Sequence, residues 1–361
     1  MKYSIGIYNI KTVILAVFLL PAILNTACTY PSVSLRIETD EKKRKVVKFI
    51  YPTPKMYSWQ AVQGEKSYGI LFEFVDYTQI SFPPPGAIID NRKFIYAAVF
   101  DSELNPVTGE PLCLVSEKRK GYVLQGPVSG IFPLKKGFVV IYLSENAFHY
   151  AILKTDGTLK KKPEKFYTPR EASGFKNRVL GINFHKDTIY LFILTNPENM
   201  YRDTWSFNLV KRDITRGSTD YIKKFIASKE NLFHAKDLQV YFSGSTMHLA
   251  WINGREIRDN PKSNTYGLLP EVYLASCSTD ADACGEIFMV FKGKNYNRAS
   301  LRFQDNSDGE VPVLVIKEND SYFIHNPALK AVVTAGSSSE YQHLFRRGGR
   351  LPFGVSCGPG R

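Results

Sequence analysis

From Val46 onward the chain is a succession of short runs, apolar throughout or alternating apolar with polar, each cut off by Gly, Pro, Asn or Asp. Alternation with a period of two, bounded by such residues, predicts β-strands. The predicted strands are Val46–Tyr51, Gly69–Asp76, Phe94–Phe100, Leu112–Ser116, Phe138–Leu143, Phe148–Lys154, Val179–Phe184, Thr188–Thr195, Trp205–Arg212, Leu238–Phe242, Met247–Ile252, Glu271–Ser276, Val311–Lys317 and Tyr322–His325. A helical period is expected only over Tyr221–Leu232. Lys154–Thr158 predicts a tight hairpin, because Asp156-Gly157 supplies residues that tolerate positive φ.

Two segments share one plan. VLGINFHKDTIYLFIL (Val179 to Leu194) and LQVYFSGSTMHLAWI (Leu238 to Ile252) each run an alternating strand to Phe184 or Phe242, make a polar turn, and restart at Thr188 or Thr246. The offset is 58 residues at each position. Looser copies surround Phe138 and Phe94, and each copy leads to a further strand such as Trp205–Arg212 or Glu271–Ser276. Meanders repeating at this period resemble the blades of a β-propeller. The expected fold class is therefore all-β, a β-propeller of about five to seven blades, with two tandem β-sandwiches as the alternative.

Composition agrees with this class. The chain holds 21 Tyr and 24 Phe against 5 Met and 3 Trp, a balance that favours strands. The net charge of +13 suits an anionic partner such as a membrane surface or an acidic glycan.

The N-terminus changes where such a body would work. Lys2 and Lys11 flank a region without acidic residues, and Thr12 to Leu24 is an apolar run interrupted only by Pro21. A span of the bilayer core needs roughly 20 apolar residues, so this shorter run reads as the core of a signal peptide. Leu24-Asn25-Thr26-Ala27-Cys28 resembles the lipobox of bacterial lipoproteins, with Asn25 where an aliphatic residue is usual. The resemblance implies cleavage before Cys28, acylation of Cys28, and, with Thr29 following, an outer-membrane location. An ordinary secretory signal leading to a soluble secreted or periplasmic protein is the alternative. Export makes nucleic acid an unexpected partner. The expected organisation is signal peptide 1–27, tether 28–45 with the charge run Asp40 to Lys45, β-body 46–335, and a Gly/Arg-rich tail 336–361.

Four further cysteines in an oxidising compartment suggest two disulfides. Cys277 and Cys284 flank a short polar loop and are expected to pair, which leaves Cys113 for Cys357. No zinc-ligand spacing occurs, and no metal or cofactor is expected.

Catalytic signatures are absent as well. There is no Asp-box, no Gly-x-Ser-x-Gly elbow and no repeated Trp motif. The six histidines, His149, His185, His234, His248, His325 and His343, are scattered, with His185 and His325 at strand ends. Asp280–Glu286 echoes the start of a calcium loop, but Phe291 stands where its twelfth-position glutamate would be; Asp305–Glu310 is a shorter variant. With no catalytic residue singled out, the expectation is a lipid-anchored, non-enzymatic binding module using its loops to hold a protein or anionic glycan. The alternative is a divergent propeller carbohydrate-active enzyme, of hydrolase or lyase type. A purely structural envelope component is a third reading.

Overall fold

The computed structural model describes residues 3–6, 14–17, 34–39, 45–50, 55–77, 91–119, 128–169, 177–195, 205–226, 232–257, 267–304, 312–326 and 331–336. The chain divides into two compact units, Met1–Ser173 and Gly174–Arg361.

The first unit opens with a sheet of β1 (Tyr3–Gly6), β2 (Ile14–Val17), β3 (Ser34–Thr39) and β4 (Lys45–Ile50), ordered β1-β2-β4-β3, in which β2 and β4 run parallel. Two antiparallel meanders follow. One is β5 (Lys55–Gln63), β6 (Ser67–Tyr77), β7 (Asn91–Asp101) and β8 (Leu112–Arg119). The other is β9 (Ser129–Leu134), β10 (Gly137–Ser144), β11 (Ala147–Leu153) and β12 (Leu159–Tyr167).

The second unit contains three meanders of the same kind. They comprise β13 (Asn177–His185), β14 (Thr188–Thr195), β15 (Ser206–Asp213) and β16 (Thr219–Ile226); β17 (Lys236–Ser243), β18 (Thr246–Ile257), β19 (Gly267–Ser278) and β20 (Ile287–Lys292); and β21 (Ala299–Gln304), β22 (Val313–Glu318), β23 (Ser321–Asn326) and β24 (Ala331–Gly336). Single 3₁₀ turns, Leu232–His234 and Tyr296–Arg298, precede β17 and β21. Within each unit the first strands of successive meanders are neighbours, β5 beside β9, and β13 beside β17 beside β21. A four-stranded meander led by an inner strand is a propeller blade. The fold is all-β, of the β-propeller class.

The packing follows from the hydrophobic pattern. In β10, Phe138 to Tyr142 are all buried, and in β14 Ile189 to Leu194 are too, so these central strands are covered on both faces. One face of the β5–β8 sheet, through Leu71, Ile95, Ala97 and Val99, packs on Ile131, Phe138, Val140 and Tyr142 of the next sheet. Gly69 permits that approach, since a Cβ there would sit 2.8 Å from both Phe138 and Ile131. In the second unit Trp251, wholly buried, meets Phe207 edge-on at 5.9 Å and stacks on Tyr273 at 5.6 Å. The opposite face of the same sheet, through Ala250, Ile252, Val272 and Leu274, packs on Leu301, Leu314 and Ile316.

Inner strands leave edge N–H groups to satisfy. Gln60 of β5 accepts from the Ile131 amide of β9 at 3.0 Å, and Asp237 of β17 accepts from the Leu301 amide of β21 at 2.6 Å. A buried ion pair ties one meander to the next in the first unit. Glu73 and Lys93, 1% and 3% exposed, approach to 3.4 Å, and Lys93 Nζ also donates to the Leu143 carbonyl at 3.2 Å.

All fourteen strands expected from alternation fall on observed strands. Most of those not expected lie at the borders of blades. β12 and β16 are lysine-rich and β20 is largely exposed, so a solvated face blurs their alternation. The expected helix is a correction where the stretch is described: Tyr221 to Ile226 finish β16 and a single 3₁₀ turn begins at Leu232, while 227–231 lie outside the described residues. Phe225 and Ile226 are consecutive and both wholly or nearly buried, which a strand between two layers allows. The 58-residue repeat corresponds to the equivalent hairpins β13–β14 and β17–β18. Phe138 and Phe94 are out of phase with it, standing in a second and a third strand. At Asp156-Gly157 only Gly157 takes positive φ (78°), while Asp156 caps the turn by accepting from the Thr158 amide at 2.8 Å. Two-residue turns with positive φ at both positions occur instead at Glu145-Asn146 and Lys186-Asp187.

The Glu73–Lys93 pair carries a clear expectation. Lys93→Met removes the ammonium from beside a buried carboxylate and should lower unfolding free energy by about 3–5 kcal/mol. Urea titration checks this, and adding Glu73→Leu should restore most of the loss.

Candidate functional site

The polar groups of the second unit concentrate where the chain enters β13 and β17 and where β18 turns towards β19. The centre is His234, in the 3₁₀ turn before β17, whose Nε2 lies 3.0 Å from Glu256 Oε1 near the end of β18. Their side chains are 12% and 24% exposed, so the pair is sheltered yet reachable. Two features hold the imidazole in place. Tyr296 OH donates to the His234 carbonyl at 2.6 Å. Gly254 faces His234, and a Cβ at that position would stand 2.9 Å from the histidine Cβ, so only glycine lets the turn sit this close.

Cations frame the same turn. Arg178, second residue of β13, donates through Nη2 to the carbonyl of Ala235, and its guanidinium lies 5.9 Å from the Trp205 ring. Lys236 begins β17; its Nζ lies 4.0 Å over the Tyr296 ring and donates to the Tyr296 carbonyl. Burial lowers the pKa of Arg178, against an opposing pull from Tyr296, and burial lowers that of Lys236, against Asp237. Burial likewise pushes the Tyr296 phenol up.

The other face of the β18–β19 hairpin carries a separate network. Asn253 pairs with Glu271 in the strand register, which places Glu271 on the face opposite to Glu256. Glu271 accepts from Tyr273 OH at 2.8 Å and meets Arg255 at 3.1 Å and Lys292 at 3.8 Å. The two carboxylates therefore belong to different environments. Glu256 faces a histidine, and Glu271 is clamped by cations.

Sequence expectations fare unevenly here. Cys277 and Cys284 are joined, with Cα atoms 4.9 Å apart. The loop they close is anchored to the preceding meander, Cys284 N donating to the Phe225 carbonyl at 2.7 Å and Lys211 Nζ to the Ala281 carbonyl at 3.0 Å. That anchoring accounts for the Asp280–Glu286 stretch as a clasp. Cys113 is an exposed thiol on β8 whose Sγ donates to the Val115 carbonyl at 3.3 Å. Cys28, Cys357, His343 and Asp305–Glu310 lie outside the described residues.

The described histidines do not converge. His149 stacks on Tyr142 at 5.8 Å, His185 stacks on Phe242 at 4.4 Å, His248 Nδ1 meets Ser276 Oγ at 2.9 Å, and His325 is buried in β23. His185, one of the two at strand ends, stacks on a ring of the next blade, and the other, His325, is buried within its sheet. The His234–Glu256 pair escaped the sequence reading because its partners stand 22 residues apart in different elements.

No family model matches this chain, and no curated protein is significantly similar to it. Solved structures similar to it include a family 43 arabinoxylan arabinofuranohydrolase from Bacillus subtilis, at 12% identity, 71% of this chain and 57% of that one, TM-score 0.36. A sucrose-6-phosphate hydrolase from Lactobacillus gasseri is similar at 9% identity, 79% and 61% coverage, TM-score 0.41. An α-L-arabinanase from Cellvibrio cellulosa is similar at 9% identity, 79% and 96% coverage, TM-score 0.34. The chain spans about three fifths of the length of the first two. All three are named as sugar-chain or sucrose-phosphate hydrolases, which runs against the expected non-enzymatic binding module; at these identities the likeness is one of fold.

The buried histidines define a pH response. Burial lowers the pKa of His149, His248 and His325 below the ordinary imidazole value of about 6.5. The unfolded chain then binds more protons in that window, so stability is full above about pH 6.5 and is lost as pH falls towards the lower folded values. Melting temperature should drop between pH 7.5 and 5.5, and His248→Gln should flatten the drop.

Proposed function

We propose that this chain is a carbohydrate-active enzyme that cleaves glycosidic bonds, with Glu256 and His234 as its proton-transfer pair. The carrying observation is the 3.0 Å contact between Glu256 Oε1 and His234 Nε2, sheltered at the end of the unit from which the inner strands start. An imidazole is the side chain suited to trading a proton near neutral pH, and a carboxylate beside it fixes its orientation. Breaking a glycosidic bond needs a group that delivers a proton to the leaving oxygen or withdraws one from the sugar, and either member of the pair is equipped for that. Tyr296 and Gly254 act on His234 by positioning it.

The signal-like N-terminal sequence supports a role outside the cytoplasm. The lipobox-like stretch Leu24–Cys28 favours an acylated Cys28 on an outer-membrane surface, with the basic run Lys42 to Lys45 close to the bilayer. Intact mass after expression in a bacterial host should show loss of residues 1–27 and a gain of acyl chains. An unacylated mass with the signal removed elsewhere would make the protein a soluble secreted one.

For catalysis, the purified chain should release new sugar ends from a panel of plant and bacterial polysaccharides. Glu256→Gln should lower kcat by a factor of about 10² to 10⁴, the range of general acid–base contributions, with an unchanged melting temperature. Retention of full activity in that variant would remove Glu256 from the reaction.

A further inference from the structure

Arg178 and Lys236 carry two positive charges into a sheltered place, where the Asp237 carboxylate offsets the lysine in part and desolvation weighs on both. Neither makes an ion pair among the described residues. Arg178 has one nitrogen on the Ala235 carbonyl, and its Nε is buried with no hydrogen-bond partner among the described residues. Lys236 is served by the Tyr296 carbonyl and ring face. The nearest acid along the chain is Asp237, whose oxygens are already engaged, Oδ2 by the Leu301 amide and Oδ1 by Gln239 Nε2 at 3.0 Å. Sequestering a charge from water is costly unless a counter-charge or hydrogen bonds replace the lost hydration. Carbonyls and aromatic faces replace part of it, Asp237 balances part of the lysine's charge, and the guanidinium of Arg178 keeps its own.

The two cations share a neighbourhood of chain and a partner. Arg178 bonds to the residue that precedes Lys236, and both act on Tyr296, the arginine through its charge and the lysine over the ring. Trp205 stands on the arginine side. Two positive groups beside two aromatic rings, one turn of chain from the His234–Glu256 pair, suit an anionic sugar, whose carboxylate meets the cations and whose C–H groups can lie against a ring. We propose that Arg178 and Lys236 form a subsite for the carboxylate of an acidic sugar, with Trp205 and Tyr296 as its aromatic walls. This rests on the carbohydrate-active reading above and names the substrate class, a glycan built on uronic acids. A guanidinium edge matches a carboxylate in a paired geometry that an ammonium cannot reproduce.

The test is calorimetric titration of the full chain with a hexameric oligogalacturonate, with the same oligomer after reduction of its carboxyl groups, and with free galacturonate. The acidic oligomer should bind at least about tenfold more tightly than its reduced counterpart, the value of one charge-assisted hydrogen bond. Free galacturonate should bind more weakly than the oligomer. Lys236→Gln should lose about tenfold for the acidic oligomer and nothing for the reduced one. Arg178→Lys keeps the charge and loses the fork, and should weaken acidic binding at an unchanged melting temperature, so the idea stays open to refutation if Lys236→Gln folds poorly. Equal binding of acidic and reduced oligomers, or no binding of either, overturns the subsite. Tight acidic binding with no cleavage by the wild-type chain leaves the subsite standing and sinks the enzymatic reading. Cleavage of neutral glycans without preference for acidic ones does the reverse.

Discussion

Covering both faces of a four-stranded meander is the constraint from which the rest of this structure follows. A sheet with one wet face can alternate apolar with polar residues, but the central strands here cannot. Phe138 to Tyr142 and Ile189 to Leu194 are apolar at every position, so each needs a neighbouring layer on both sides. Stacking the meanders supplies those layers, and the stack brings the leading strands together. Their edges then face one another rather than water. Gln60 and Asp237 close two of these edges by accepting amide hydrogens that no strand pairs.

Function sits where that constraint relaxes. Cores demand continuous apolar strands, while strand ends and the segments between blades are released from packing. His234, Lys236, Glu256 and Tyr296 all stand at such ends, and Arg178 begins the adjacent inner strand. A rigid stack below and polar residues above is the arrangement that lets one scaffold carry varied chemistry. The opposed fates of Glu256 and Glu271 show how finely this works. Both stand at the same end of one hairpin, yet the pleat turns one towards a histidine and the other into a cage of Arg255, Lys292 and Tyr273.

Charge in the interior obeys the same accounting of partners. The buried Glu73–Lys93 pair is matched internally and bridges two sheets. Arg178 is matched by a carbonyl and a ring, and Lys236 by a carbonyl, a ring and the charge of Asp237 beside it, without an ion pair of the Glu73–Lys93 kind among the described residues.

Much of the architecture was legible in the chain itself. A period of two, punctuated by Gly, Pro, Asn and Asp, is a local property, so every expected strand lies on a real one. The 58-residue repeat exposed the equivalent hairpins because Phe184 and Phe242 end the same strand in two successive blades. The Cys277–Cys284 bond was legible for the same reason, since seven residues bring the thiols within reach without help from the fold. Outer strands such as β12 and β16 were not, because a solvated face tolerates lysines that erase the alternation. The candidate site was hidden most completely. His234 and Glu256 meet across the β17–β18 pairing, Arg178 and Tyr296 join them only when the blades stack, and no local pattern records a contact made across 22 or 62 residues. Local hydrogen-bonding and burial preferences determined the strands; the face-to-face packing of distant strands decided which polar side chains meet.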